Sequence, residues 1–422
     1  MKVLWIVNTA LDPISLKLYQ KPVNGLWMSA LLDSISNSAD FEFTVATTAA
    51  VSEAVSVTEN GVKYYALPDQ PPSLYNENKE TNIKAWQKLF ELEKPDLIEV
   101  WGTEFTQGLC ALRAAKGIPS IIRMQGYLSA IAQHYLAGMT PGELKKTVTL
   151  RDRIKRDSIV QQQQKYFASA KKEAEMIELS GNVICQNGWG EAVIKSRHPN
   201  AKVYFCPLSI NSVFQNYSWS KEQAELHSII CNASGYSLKG LHVLLRAVAM
   251  LKNKYTDIKL YVPGKPMVSD GSVQWLLRKR GYTKYIEGLI AELGIKDNII
   301  WLGRITHREL AEELAKKSVF VLCSAAENQS SSLIEAMTVG VPSIASKVGE
   351  VPEFVKNGEN GLLYRFGEHD VLAHLIDKVF SDDELAKKIS ENGKKDMLKA
   401  HDADLINKTI IDIYNEVLRR DI

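Results

Sequence analysis

The stretch "SVFVLCSAAENQSSSLIEAMTVGVPSIAS", residues 318–346, decides the fold. "SVFVLCS" is an apolar run of strand length. "SSSLIEAM" has helical spacing, and "PSIAS" reads as the next strand. Strand, loop, helix and strand in so few residues make a parallel crossover unit. Two glutamates flank the loop, Glu327 just after the first strand and Glu335 in the first turn of the helix, with seven residues between them. Ser332 fits the helix N-cap with Glu335 three residues later, the pattern of a capping box. On that reading Glu335 only caps its helix. The same placement supports a second reading. A helix N-terminus presents unpaired N–H groups and a positive dipole end, and a serine-rich loop lets a phosphate approach them. A carboxylate in the first turn can then accept both hydroxyls of a ribose, and one ahead of the loop can accept sugar hydroxyls.

The same alternation extends along the chain. Before residue 207 the strand candidates are "KVLWIV", "FEFTVAT", "DLIEVW", "PSIIRM", "NVICQ" and "KVYFCPL". "GLWMSALLDSIS" and "TQGLCALRAAKG" read as helices between them. A polar stretch from Pro141 to Ser180 interrupts the rhythm with two helix-like segments. "PLSINSVFQNYSWSKEQAE" lacks periodicity and reads as a domain junction. The rhythm restarts with "HSIICNAS", "IKLYVPG", "NIIWLG", "SVFVLCS" and "PSIAS". After Gly361 the chain reads as helices to its end. An α/β protein follows, with two Rossmann-like, doubly wound parallel-sheet domains facing across a cleft. The expected boundaries are 1–207, 208–400 and a final helix, 401–422.

Composition narrows the function classes. The 422 residues suit two domains of roughly 200 each, and 45% are hydrophobic. The formal net charge is only +2, so no overall field selects nucleic acid. The five cysteines lie in or beside apolar runs without metal-ligand spacing, which fits inert thiols in a reducing compartment. No apolar run nears the ~20 residues of a membrane helix. A cytoplasmic protein is expected, at most peripheral to a membrane. Residues 145–156 carry Lys145, Lys146, Arg151, Arg153, Lys155 and Arg156 against Asp152 and Asp157. They read as a solvated helix face or as a contact for anionic headgroups.

"GYSLKGLHVLL" places Lys239 and Gly240 just before a helix, after the first strand of the second half. A cation at a helix N-terminus is electrostatically odd unless an anion compensates it. The alternative is an ordinary solvated lysine.

Taken in order and spacing, "SLKG", "WLGRITHREL", "CSAAENQSSSLIEAMTVGVPSIAS", "GEVPEF" and "NGENGLLY" resemble the retaining glycosyltransferases of family four, which have the GT-B fold. "NGLWMSALLDSI", "PDLIEVWGTE", "IPSIIRMQG" and "VICQNGWGEAVI" add looser similarity in the first half. The resemblance implies a retaining hexosyltransferase moving sugar from a nucleotide-diphospho-sugar, UDP- or GDP-linked, to a saccharide or lipid-linked acceptor. Assembly of cell-surface polysaccharide or glycolipid is the implied setting. Lys239 and Glu327 are implied as catalytic. Glu335 would hold the ribose, Gly303 and Arg304 the base, and the Ser330, Ser331, Ser332 and Leu333 N–H groups the phosphates and sugar. Asn24 and Gly25 would lie at the acceptor side of the cleft, with Gln125 and Glu104, and the final helix, 401–422, would cross back to the first domain.

The resemblance implies no metal and no cofactor beyond the donor co-substrate. The sequence departs from the family in two places. Tyr236 stands where an arginine is common, with Lys265 or Arg304 as substitutes, and Gln125 stands where a histidine is expected. A sugar-nucleotide epimerase or phosphorylase on the same fold, or a non-catalytic nucleotide-sugar-binding protein, are the alternatives. No GxGxxG follows "KVLWIVN", which disfavours a Rossmann oxidoreductase.

Overall fold

The computed structural model describes the chain except residues 22–26, 37–40, 70–79, 234, 270 and 420–422. It forms two compact units. The first comprises Met1–Ala132, Lys165–Ser209 and His401–Ile422, and the second Gln133–Gln164 and Ile210–Ala400.

The first unit is built on strands β1 (Lys2–Ile6), β2 (Glu42–Ala49), β3 (Val55–Glu59), β4 (Val62–Pro68), β5 (Leu97–Trp101), β6 (Ser120–Arg123), β7 (Asn182–Cys185) and β8 (Lys202–Phe205). Their order is β3-β4-β2-β1-β5-β6-β7-β8. All pairs are parallel except β3–β4, a hairpin turned through Asn60 and Gly61. That hairpin is absent from the sequence reading, which placed no strand between residues 48 and 95. Val3, Trp5 and Val7 enter one core cluster, while Leu4 and Ile6 enter another. Alternate residues of one strand are therefore buried on opposite faces, as a sheet covered on both sides requires.

The closing helix Ala403–Leu418 belongs to this unit by its packing. Ile406, Ile410 and Tyr414 join the Trp5 cluster. Trp5 Nε1 donates to Tyr414 Oη at 3.0 Å, and Tyr414 in turn donates to Glu99. Glu99 also holds Arg123 at 2.6 Å, so two buried charges and a phenol bond to one another. Trp101 lies in the same core, 1% exposed, with the Arg123 guanidinium 4.7 Å from its ring centre.

The second unit carries β9 (Glu225–Ile230), β10 (Lys259–Pro263), β11 (Ile299–Gly303), β12 (Lys317–Leu322), β13 (Ser343–Ser346) and β14 (Leu362–Tyr364). The order is β11-β10-β9-β12-β13-β14, all parallel. β14 corrects the expectation of helices alone after Gly361. Val319, Phe320, Val321 and Leu322 are all buried, so this sheet too is covered on both faces.

Residues 133–164 pack with the second unit, whereas the sequence placed them in the first domain. The cause is a set of specific bonds. Ser237 Oγ donates to the Tyr135 carbonyl at 2.8 Å, and His242 Nε2 lies 3.1 Å from the Ala137 carbonyl. Glu143 pairs with Arg246 at 3.0 Å. Such partners, about a hundred positions distant, leave no local trace in the sequence.

Candidate functional site

In the second sheet the chain runs outward from β9 to β10 and β11 on one side, then returns to lay β12, β13 and β14 on the other. The reversal falls between β9 and β12. Parallel α/β sheets leave a crevice there, outside the strand carboxyl ends. The loop after β9 carries Tyr236 and Lys239, and the loop after β12 carries Glu327. Lys265 follows β10, and Gly303 ends β11 with Arg304 next. The expected donor-side residues thus share one edge of one sheet.

Lys239 Nζ lies 2.8 Å from Glu327 Oε1. Ser324 Oγ donates to the same oxygen at 2.5 Å. Burial alone would lower the Lys239 ammonium, but the Glu327 carboxylate beside it more than offsets this and the net shift is upward. Two glycines permit the approach of the loops. Gly240 has φ 67, and a Cβ there would stand 1.7 Å from the Cys323 carbonyl oxygen. Gly349, φ 50, would meet the Glu327 carbonyl oxygen at 1.8 Å. Any side chain at either place would force the loops apart.

The helix after Glu327 runs Ser331–Val339, with Ser330 as N-cap and no side-chain capping bond. This corrects the expected capping box. Ser332 lies inside the first turn, where its Oγ faces Ser330 Oγ at 3.3 Å, and Glu335 lies two residues beyond the position from which a side chain reaches back to the cap. The first-turn N–H groups from Ser331 to Leu333 therefore have no capping side chain. Glu335 has no hydrogen-bond partner among the described residues, and burial raises its carboxyl to about 8.

Lys265 and Arg304 are exposed, and neither has a salt-bridge partner among the described residues. Tyr236 is 39% exposed beside Lys239.

The sequence reading gave no role to Ser324 or Glu350. Ser324 could have been found from its place at the strand end, three residues before Glu327. Glu350 follows Gly349, is fully buried, and both its carboxylate oxygens are without partners among the described residues. Burial, then the Glu353 charge, raises it to about 8.

In the first unit the strand order reverses between β1 and β5. Asn8 follows β1, Glu104 follows β5 and Gln125 follows β6. Asn8 Nδ2 donates to Gln125 Oε1 at 2.8 Å. Glu104 Oε2 is enclosed without a partner, and burial, with a contribution from the Glu173 charge, raises this carboxyl to about 7. Glu173, which the sequence reading did not single out, accepts from Thr103 Oγ1 at 2.7 Å and Leu128 N at 3.0 Å. Asn24 and Gly25 lie outside the described residues.

Two doubly wound sheets, each with polar side chains gathered at its switch point, define the class: a two-domain α/β protein of the GT-B fold. Residues 218–396 match the family described as Glycosyl transferases group 1. Over 133 residues, 32% of the chain, it is 31% identical to N-acetyl-alpha-D-glucosaminyl L-malate synthase of Bacillus anthracis. That alignment covers 34% of the relative, so the chain spans about a third of its length. Among solved structures, sucrose-phosphate synthase from Thermosynechococcus elongatus superposes with a TM-score of 0.73 at 17% identity, covering all of both chains. Anabaena HepE in complex with UDP and glucose gives 0.67 at 16% identity, over 99% of this chain and 100% of that one.

Proposed function

We propose that the chain is a glycosyltransferase, a hexosyltransferase that moves a sugar from a nucleotide-diphospho-sugar to an acceptor hydroxyl with retention of anomeric configuration. The observation that carries this reading is the Lys239–Glu327 pair beside an uncapped, serine-rich helix N-terminus, with Glu335 unpartnered in the next turn. A diphosphate lying over the Ser330, Ser331, Ser332 and Leu333 segment meets oriented N–H groups and the Lys239 ammonium. Glu335 accepts two hydrogen bonds from the ribose diol, which satisfies a carboxylate that the protein itself leaves without donors. Glu327 accepts sugar hydroxyls. Gly303 and Arg304 border the base, with Lys265 and Tyr236 alongside the phosphates.

As the anomeric C–O bond to the diphosphate breaks, negative charge grows on the leaving phosphate and positive charge on the sugar ring. Lys239 and the helix N-terminus stabilise the first. The acceptor oxygen bonds to the anomeric carbon on the same face, and its proton passes to the leaving phosphate, so atoms and charge balance. In this reading basic groups do the work, and no metal or further cofactor takes part.

The first unit holds the acceptor through Asn24, Gly25, Gln125 and Glu104. Likeness to a structure holding UDP and glucose favours a UDP-sugar over a GDP-sugar donor. A saccharide or lipid-linked acceptor in cell-surface polysaccharide or glycolipid assembly completes the reading. The site of action is then cytoplasmic, peripheral to the inner face of a membrane that residues 145–156 touch.

The test is a thermal-shift series with UDP-, GDP-, ADP- and CMP-sugars, followed by NMR of the transfer product. A shift with one nucleotide class and an unchanged anomeric configuration is expected. No shift with any donor overturns the reading. Conversion of the bound sugar to another sugar without an acceptor replaces it with epimerase chemistry.

A further inference from the structure

The basic stretch after Lys145 does not lie alone. Within the second unit, the short helix Leu150–Lys155 packs beside the helix Val273–Arg278. Lys284 Nζ, just beyond, donates to the Val148 carbonyl at 3.3 Å. A Cβ on Gly281 would stand 2.9 Å from the Thr147 carbonyl oxygen, so only glycine permits so close an approach. Two segments far apart in sequence therefore build one surface.

That surface combines two properties. Leu150 is 70% exposed, Ile154 74% and Leu277 66%, among the more exposed large apolar side chains of the protein. Leu150 and Ile154 are one helical turn apart and share a face. Around them Lys145, Lys146, Arg153, Lys155 and Arg156 are exposed, and Arg278, at the end of the second helix, and Arg280, just after it, add charge. The acidic side chains of these segments do not neutralise them. Glu143 is paired with Arg246, Asp152 is buried against Arg151, Asp157 also meets Arg151, and Glu287 is paired with Lys279. A chain of net charge +2 thus concentrates uncompensated cations around protruding leucine and isoleucine side chains. A groove of about 260 Å³ adjoins them at Lys145, lined also by Leu144, Val148, Ile159 and Val160.

We propose that this two-helix surface docks on an anionic lipid bilayer, the cations meeting headgroup phosphates and Leu150, Ile154 and Leu277 entering the interface. Each basic side chain near such a surface contributes attraction that salt screens, whereas apolar insertion persists in salt. A purely acidic protein or nucleic-acid partner would meet the charge and leave the apolar side chains in water. The inference deepens the membrane part of the proposed function and rests on that reading only in choosing lipid as the partner.

The experiment is co-sedimentation of the full chain with vesicles of phosphatidylcholine, with and without phosphatidylglycerol, across a salt series. Binding at least about tenfold tighter to the anionic vesicles is expected. Arg153→Glu with Lys155→Glu should lose about tenfold or more, and Leu150→Ser with Ile154→Ser should abolish the salt-resistant fraction. Equal binding to neutral and anionic vesicles overturns the proposal, as does parental binding by either double variant. Tighter capture by duplex DNA or polyglutamate than by anionic vesicles, unaffected by Leu150→Ser with Ile154→Ser, also overturns it. Donor hydrolysis is measured on the same preparations. Lost vesicle binding with retained hydrolysis separates this surface from the donor site, and retained vesicle binding without nucleotide binding would instead count against the transferase reading.

Discussion

Lys239 and Glu327, 88 positions apart, meet at 2.8 Å because β9 and β12 are neighbours at the switch point of the second sheet. The pair is half-enclosed: the lysine side chain is 27% exposed and the glutamate 11%. An anion arriving between them would compete with Glu327 for the ammonium. Lys239→Ala should therefore lower donor turnover by about 10²–10³-fold. Its effect on the melting temperature should be small, because Ser324 still donates to the Glu327 oxygen. Single-turnover donor cleavage checks the first and calorimetry the second. Unchanged turnover removes Lys239 from the chemistry.

Glu335 makes no capping bond, so replacing its carboxyl should not weaken the helix. Glu335→Gln should leave the melting temperature unchanged or higher, yet cost about 1.5–3 kcal/mol of nucleotide binding, the range of a hydrogen bond to a charged group. Titration calorimetry with the nucleotide diphosphate measures this. A lower melting temperature with unchanged affinity would point to a purely structural role.

Three carboxyls, Glu104 at about 7 and Glu335 and Glu350 at about 8, are raised from an ordinary 4.5 by burial. The sign follows from linkage. Between 4.5 and 8 the unfolded chain has released protons that the folded chain still holds, so stability is full below about 4.5 and falls as pH rises through the window. Glu350→Gln should flatten that slope and raise stability at pH 8 by about 1–3 kcal/mol. Urea unfolding from pH 5 to pH 8.5 is the measurement, and an unchanged slope would show that Glu350 finds a donor in solution.

At Gly240 a methyl group would overlap the Cys323 carbonyl oxygen, and the residue's φ of 67 adds strain. Gly240→Ala should cost about 2 kcal/mol or more and displace the Lys239 loop, so both melting temperature and donor cleavage fall. A variant as stable and active as the parent would mean that the two loops are not in contact.

Tyr414 links the closing helix to the buried Glu99–Arg123 pair. Tyr414→Phe should destabilise the first unit by about 1–3 kcal/mol, since the buried Glu99 loses a donor. Nucleotide affinity should not change. Differential scanning calorimetry and titration calorimetry on one sample distinguish the two effects.

Much of this was legible in order. The strand-loop-helix around Glu327 could be read directly because hydrophobic runs, a serine turn and helical spacing are local signals. The same holds for the parallel sheets and for Lys239 and Gly240 after a strand's end. The β3–β4 hairpin is harder to read even though Asn60-Gly61 marks its turn, because strands rich in polar residues carry a weak alternation.

The sequence by itself determined which residues close the strands it marks, and so which of their side chains reach the carboxyl edges of the sheets; β3, β4 and β14 lie outside that set. Tertiary structure alone decided three other matters. It set the helix start at Ser331, which denies Glu335 its cap. It assigned residues 133–164 to the second unit through Ser237, His242 and Arg246. It also joined the Leu150 and Leu277 helices into one basic, apolar surface. The physical reason is common to the last two. Local propensity fixes the direction of a segment within a few residues, but the partner that satisfies a buried carbonyl or pairs a charge lies about a hundred positions away. Only the folded chain brings the two together.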